Sequence, residues 1–430
     1  MFRTVLRAQQ GDVRPLPYTA SPLKLLWSDT CLFFQSAWAL PRVFLPLNLG
    51  RTWPLDEFYP SWRDFGDISV HAFLVVYQLL FLLSLPIVII FLIPTLWVLA
   101  YIAIALFFNY AVCKITLSGF KRFLVSGVPV AERPGHEREH WIYVNGVAVG
   151  QHWLQKHVDL LSYTFGRRVT GVLNPTSGII FDVLQCLIQR DFSYATQDIR
   201  DAYVLIKKAL LNPQYDKVIL ILHSQGAIEG GLVIDWLLDE LPQNLLHQLE
   251  VYTFGSAANH FNNPSQSQST QQTSLQISDA DQQSHQSIGY IEHYANAVDF
   301  VSVWGVLHYI NTPNRYMGRL FVRPGSGHLM NQHYLDNMFT LGPDRKVLDS
   351  NPFMDMEVDM QEGTADSNTP DLRPGLASTP CDALLPNMSK RDASRTIPQT
   401  IHGSKVLRVK DFSRLWQYRN GGSPTDVTHD

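Results

Sequence analysis

Four cysteines in 430 residues, with no CxxC pair among them, are too few and too scattered for a disulfide framework or a cysteine-based zinc site. Cys31, Cys113, Cys186 and Cys381 read as isolated reduced thiols, the pattern of a chain facing the cytosol rather than an oxidising compartment. Net charge is also scarce: the formal value is −4 and the pI about 6.4, so nothing points to nucleic acid as a partner. The opening stretch, MFRTVLRAQQGDVRP, lacks the apolar run of a secretory leader, and no internal repeat occurs.

The most consequential absence is of charge between residues 72 and 113, which read AFLVVYQLLFLLSLPIVIIFLIPTLWVLAYIAIALFFNYAVC. One bilayer crossing takes about 20 apolar residues, so this run suffices for two. Pro86 and Pro94 lie near its middle and favour a bend. The expectation is a hairpin, with one helix over about 72–93, a turn near Pro94 and a second helix to about 113. Its short linker fits either a transmembrane hairpin or one embedded in a single leaflet. Arg51 and Arg63 precede it, and Lys114, Lys121 and Arg122 follow, which places both ends on a cytosolic face, as at the endoplasmic reticulum or a lipid droplet. Residues 1–71 are rich in aromatics and proline. They fit either a segment along the membrane interface or a helix packed on the domain that follows.

From 135 to 345 strand-like and helix-like patterns alternate, which predicts a mostly parallel sheet with helices on both faces, an α/β fold. HWIYVNGV, RRVTGVLN, DKVILILHS, LEVYTFGS and GYIEHYAN read as strands; 153–165, 194–211 and QGAIEGGLVIDWLLDEL read as helices. A Ser/Gln/Thr-rich insertion over 262–286 and a tail over 350–430 are too polar to fold, apart from 405–418, where apolar spacing returns.

Within this pattern LILHSQGAIEGG sets Ser224 directly after a strand and before a helix, the context of a nucleophile elbow. Gly226 keeps the turn uncrowded, and Gly230, a helical turn on, lets the helix approach the sheet. The first glycine of G-x-S-x-G is replaced by Leu222. A serine hydroxyl needs a base and the base an orienting acid. Asp299, in the loop after GYIEHYAN, and His328, in GSGHLMNQHYL, follow in the order Ser, acid, His. His333 is the alternative base, though it is expected inside a helix. His223 and His293 read as structural, and Asp235 and Asp239 as a solvated helix face. Asn174-Pro175-Thr176 is either a turn or a pocket-shaping loop.

The blocks HWIYVNGV, LHSQG, VYTFGS, HYANAVDFVS and GHLMNQHYL resemble those of α/β-hydrolase lipases, especially class 3 lipases and related serine esterases, over Trp141 to Phe339. The resemblance implies an α/β-hydrolase fold with Ser224, Asp299 and His328 as catalytic residues. The oxyanion hole is expected from the backbone N–H groups of Gln225 and Val147, with Gly146 letting substrate come close. Asn145 stands where those families carry His. The expected reaction is hydrolysis of a carboxylic ester, such as a lipid, with no metal or cofactor. A thioesterase on acylated protein and an inactive hydrolase-fold membrane scaffold are the competing readings. The expected partners are the membrane and a lipid or acyl-ester substrate.

Overall fold

The computed structural model describes residues 17–47, 53–91, 93–131, 133–265, 286–312, 315–358 and 407–424. The expected polar insertion falls largely outside them, over 266–285, as does most of the tail, over 359–406 and 425–430.

Helix α1 (Pro22–Ser36) opens the described chain and continues in tighter turns over Ala37–Val43. Two apolar helices follow, α2 (Trp62–Ile90) and α3 (Thr95–Val112). By length and composition alone both could cross a membrane, with a mean hydropathy of 2.1 each. They are bound to one another by polar side chains. Tyr77 donates to the Ala105 carbonyl at 2.9 Å, and Gln78 Nε2 donates to Asn109 Oδ1 at 2.8 Å. Helix α2 begins ten residues before the expected position at 72, in a charged first stretch whose acids Asp64 and Asp67 are buried while Arg63 is exposed. Asp64 accepts from Lys156 Nζ at 2.7 Å and from Trp153 Nε1 at 3.0 Å.

The remaining chain builds a seven-stranded sheet in the order β1-β3-β2-β4-β5-β6-β7. Its strands are β1 (Phe123–Val125), β2 (Glu139–Val144), β3 (Val169–Val172), β4 (Lys217–His223), β5 (Leu249–Phe254), β6 (Tyr290–Asn296) and β7 (Arg319–Arg323). Only the pairing of edge strand β1 with β3 is antiparallel. A parallel sheet must be covered on both faces, and β4 shows how the sequence achieves this. Val218, Leu220 and Leu222 join the core on one face, while Ile219 and Ile221 join the core on the other.

The first core is closed by α5 (Ile179–Phe192), α6 (Gln197–Leu210) and α7 (Gln225–Glu240). The second is closed by α4 (Gln151–Phe165), by Phe353, Met354 and Val358 from the expected disordered tail, and by residues of the 405–418 stretch, whose apolar spacing sets it apart from that tail. Val409, Leu415, Trp416 and Tyr418 are buried there, and Arg414 bonds Glu250 at 2.8 Å and Glu292 at 2.8 Å. The tail holds enough apolar residues near its end to cover sheet that would otherwise meet water.

Candidate active site

Strands β2, β4, β5, β6 and β7 end on one edge of the sheet. The chain leaves β2 toward β3 on one side and enters β4 on the other, so the strand order reverses between the carboxyl ends of β2 and β4. Ligands of open α/β sheets bind at such reversals. Gly146 and Ser224 face each other across it: a Cβ added to Gly146 would lie 2.3 Å from Ser224 Cβ and 2.9 Å from its Oγ.

Ser224 joins β4 to α7 with φ 58° and ψ −121°. A non-glycine residue in this left-handed region is strained. The turn is held by backbone bonds from Ser224 N to Phe254 O at 3.1 Å and from Ala257 N to Ser224 O at 3.2 Å. Gly226 is required, since a Cβ there would meet Val144 O at 2.5 Å. The replacement of the first elbow glycine by Leu222 is matched on α7: a Cβ on Gly230 would lie 2.2 Å from Leu222 Cδ1, so Leu222 occupies the space that Gly230 leaves.

Asp299 caps the short helix Phe300–Trp304 by accepting from Val301 N, and it is fully buried. One of its oxygens accepts from His328 Nδ1 at 2.8 Å, from Tyr334 OH at 2.7 Å and from Ser302 Oγ at 2.9 Å. His328 is held from its other sides as well. Its ring stacks on His223 with centroids 4.7 Å apart, and its carbonyl accepts from His223 Nε2 at 2.8 Å. Because His223 immediately precedes Ser224, this stack carries His328 back toward the elbow. Burial depresses the His223 pKa well below its usual value, with help from the neighbouring His328 and His157. His223 is therefore a neutral donor. The carboxyl end of β5 leaves room for the pair, since a Cβ on Gly255 would lie 2.9 Å from His328 Nδ1. His328 Nε2 is buried and has no hydrogen-bond partner among the described residues, Ser224 Oγ included.

The other sequence candidates have structural work. His333 accepts at Nδ1 from Leu329 N at 3.1 Å and uses Nε2 on the Pro46 carbonyl at 3.0 Å, so both ring nitrogens are engaged. His293 bridges Thr253 Oγ1 and Met317 O inside the sheet. Asp235 is partly exposed and accepts from His260 Nε2 at 2.8 Å and from Asn262 Nδ2 at 2.7 Å, while Asp239 is exposed on the solvated face expected of both.

Sequence reasoning missed a chain of amides beneath the elbow. Asn145 accepts from Asn174 N at 2.9 Å and donates to Asn174 O at 3.0 Å. Asn174 Nδ2 donates to Gln225 Oε1 at 2.9 Å, and Gln225 Nε2 donates to Gln189 Oε1 at 2.9 Å. Gln225 opens α7, where a backbone N–H has no partner inside the helix. The chain thus fixes the residue whose N–H is the expected oxyanion donor, and Asn174, expected in either a turn or a pocket-shaping loop, bonds that residue's side chain. Val147 sits on the facing loop beside Ala148, whose own N–H is taken by Asp182 Oδ2 at 2.9 Å.

Among the described residues no group of three or more His, Cys, Asp or Glu could hold a metal. A cleft of about 550 Å³ lies elsewhere, walled by Trp53, Leu55, Asp159, Tyr163, Pro343 and Arg345, and none of Ser224, Asp299 or His328 lines it. The chain over 43–46 runs directly beside the site: Val43 O accepts from His328 N at 2.9 Å, and Leu45 O accepts from Ser326 Oγ at 2.9 Å.

No family model matches the sequence, and no curated protein matches it. Among solved structures the chain is similar to the one described as "The structure of esterase Est22", at 12% identity and a TM-score of 0.28. The similarity covers 45% of this chain and 66% of that one, just under two thirds of its length. A likeness at that score carries no argument about activity.

Proposed function

We propose that the chain is a membrane-anchored serine hydrolase of the α/β-hydrolase type, cleaving carboxylic esters, those of lipids in particular, through an acyl-enzyme. One observation carries the reading. A serine strained at positive φ on a strand-to-helix turn directly follows His223, whose ring stacks on a histidine whose Nδ1 is fixed on a buried carboxylate and whose Nε2 is unpartnered. Strain of this kind persists where surrounding structure imposes it, and it gathers at functional sites.

In the proposed reaction Ser224 Oγ attacks the acyl carbonyl carbon while its proton passes to His328 Nε2. The oxyanion meets the N–H groups of Gln225 and Val147. The C–O bond to the alcohol then breaks, and the leaving oxygen takes the proton from Nε2. Water, deprotonated by the same nitrogen, releases the acid and restores Ser224. Asp299 holds the imidazole with its proton on Nδ1 and favours the cation formed in each step. No hydrogen bond joins Ser224 Oγ to His328 Nε2 in the structure, and such bonds commonly tighten only with substrate.

The apolar hairpin supports a lipid substrate, because it would hold the site near acyl chains. The basic residues flanking it support a cytosol-facing domain at the endoplasmic reticulum or a lipid droplet. A thioester would use the same three residues, and a substrate profile separates the two. The burial of Ser224, which is 2% exposed, favours the inactive-scaffold reading as the second choice. Hydrolysis of p-nitrophenyl esters by the full chain tests the choice. Ser224→Ala, His328→Ala and Asp299→Asn should each lose on the order of 10⁴-fold or more in kcat. Unchanged turnover in Ser224→Ala would reject it as nucleophile.

A further inference from the structure

Helix α5 wears its polarity inside out. Its three charged side chains, Asp182, Arg190 and Asp191, are buried. Its outward positions are Leu184, Ile188 and Phe192, exposed by 41%, 46% and 43% and spaced four residues apart along one stripe. Helix α1 repeats this in part, although Lys24, Ser28 and Gln35 are exposed on it as well. Asp29 and Ser36 are buried, while Trp27 and Phe34 are exposed by 62% and 71%, with Leu23 and Trp38 beside them. The two helices are joined through the buried charges, since Arg190 Nε donates to Asp29 Oδ2 at 2.5 Å. Burying a charged pair while exposing tryptophan and phenylalanine is costly in water on both counts.

The hairpin shows what meets this surface. The loop entering α5 is bonded near both ends of the uncharged run: the Ser177 carbonyl accepts from Gln78 Nε2 at 2.6 Å and from Asn109 Nδ2 at 2.8 Å. Phe181, in the first turn of α5, packs edge-on against Phe81 with centroids 6.1 Å apart. On α3, Asn109 lies five residues before Lys114, the first charged residue after the run, or about 8 Å along the axis. Interfacial helices bury their apolar faces about 5–10 Å into the headgroup boundary. With the hairpin in lipid, the start of α5 is drawn to that depth, and α1 packs against α5.

We infer that the outward faces of α1 and α5 form a second membrane-contacting surface, so that the catalytic domain lies on the bilayer in a fixed orientation rather than swinging on a tether. Its partner is a lipid surface. Trp27 and Trp38 suit the headgroup level, and Arg42, placed 5.6 Å from the Trp38 ring, suits the phosphates. The inference rests on the membrane reading of α2 and α3, not on the chemistry of Ser224.

The test is carbene photolabelling of the full chain in phosphatidylcholine vesicles with a lipid-soluble aryl diazirine, read by peptide mass. Peptides covering 22–47 and 179–194 should be labelled within about threefold of the hairpin, and on the order of tenfold above α6. Labelling of the hairpin alone overturns the inference and leaves the anchor intact. Absence of label from the hairpin overturns the anchor and the inference together. Protection of both faces from the lipid probe and from a water-phase probe, lost on dilution, would make the occupant a second copy of the chain and also overturns it.

Discussion

Helices α5 and α6 are consecutive, 14 residues each, and they cover the same face of the sheet. Helix α6 buries Ile199, Ala202, Ile206 and Leu210, and it sends Arg200 and Lys208 to solvent. That is the arrangement expected of a helix between a core and water. Helix α5 does the reverse. Its inward polar groups brace the turn: Asp182 fixes Ala148 N on the loop after β2, and Gln189 fixes Gln225. Arg190 Nη1 donates at 2.8 Å to Ala257 O, in the residue whose N–H holds the Ser224 carbonyl. The difference teaches that polarity on a helix marks what it must satisfy. In α6 that is solvent; in α5 it is the turn beneath Ser224, and the outward face is left to an apolar surface.

The largest effect on this comparison should come from Arg190→Met, which leaves Asp29 buried without its cation. It should destabilise the domain by about 3–5 kcal/mol, whereas Arg200→Ala on α6 should change stability by less than about 0.5 kcal/mol, both read by denaturant unfolding in detergent. Equal effects would dissolve the distinction between the helices.

Asp182 sharpens it through pH. Burial raises its pKa from 3.8 to about 6. The folded state therefore holds this proton at pH values where the unfolded chain has released it, and stability must fall as pH rises from about 4 to about 6, staying lowered above that. The shift corresponds to about 3 kcal/mol. Asp182→Asn should remove that slope from a plot of unfolding free energy against pH, and an unchanged slope would assign it to other groups.

A smaller effect is expected where α7 meets β4. Gly230→Ala forces a methyl against Leu222 and should cost about 1–3 kcal/mol. Leu222→Ala makes the space, so the double variant should recover at least about 1 kcal/mol of coupling in a mutant cycle. Strict additivity would show that Leu222 does not compensate for the missing elbow glycine.

How far these features could be read from sequence follows the same divide. DKVILILHSQG announces strand, turn and helix because period and flanking residues agree locally, and the histidine on Asp299 is the one named from the sequence. Helix α5 was not read, since in IIFDVLQCLIQRDF the polar side chains point inward and the usual expectation runs backwards. Leu222 reads as a departure until Gly230, eight residues on, is seen to make room for it. The amides Asn145, Asn174, Gln225 and Gln189 come from four separate segments, and no local pattern links them. Nor does spacing alone separate His328, whose Nε2 is unpartnered among the described residues, from His333, whose Nε2 is taken up by the Pro46 carbonyl.

The most direct measurement is the site and rate of reaction with a fluorophosphonate, mapped by peptide mass on the wild-type chain and on His328→Ala and His333→Ala. The account predicts the adduct on Ser224, its formation slowed by orders of magnitude in His328→Ala and little changed in His333→Ala. An adduct on another residue, or one that forms on Ser224 equally fast without His328, would contradict it.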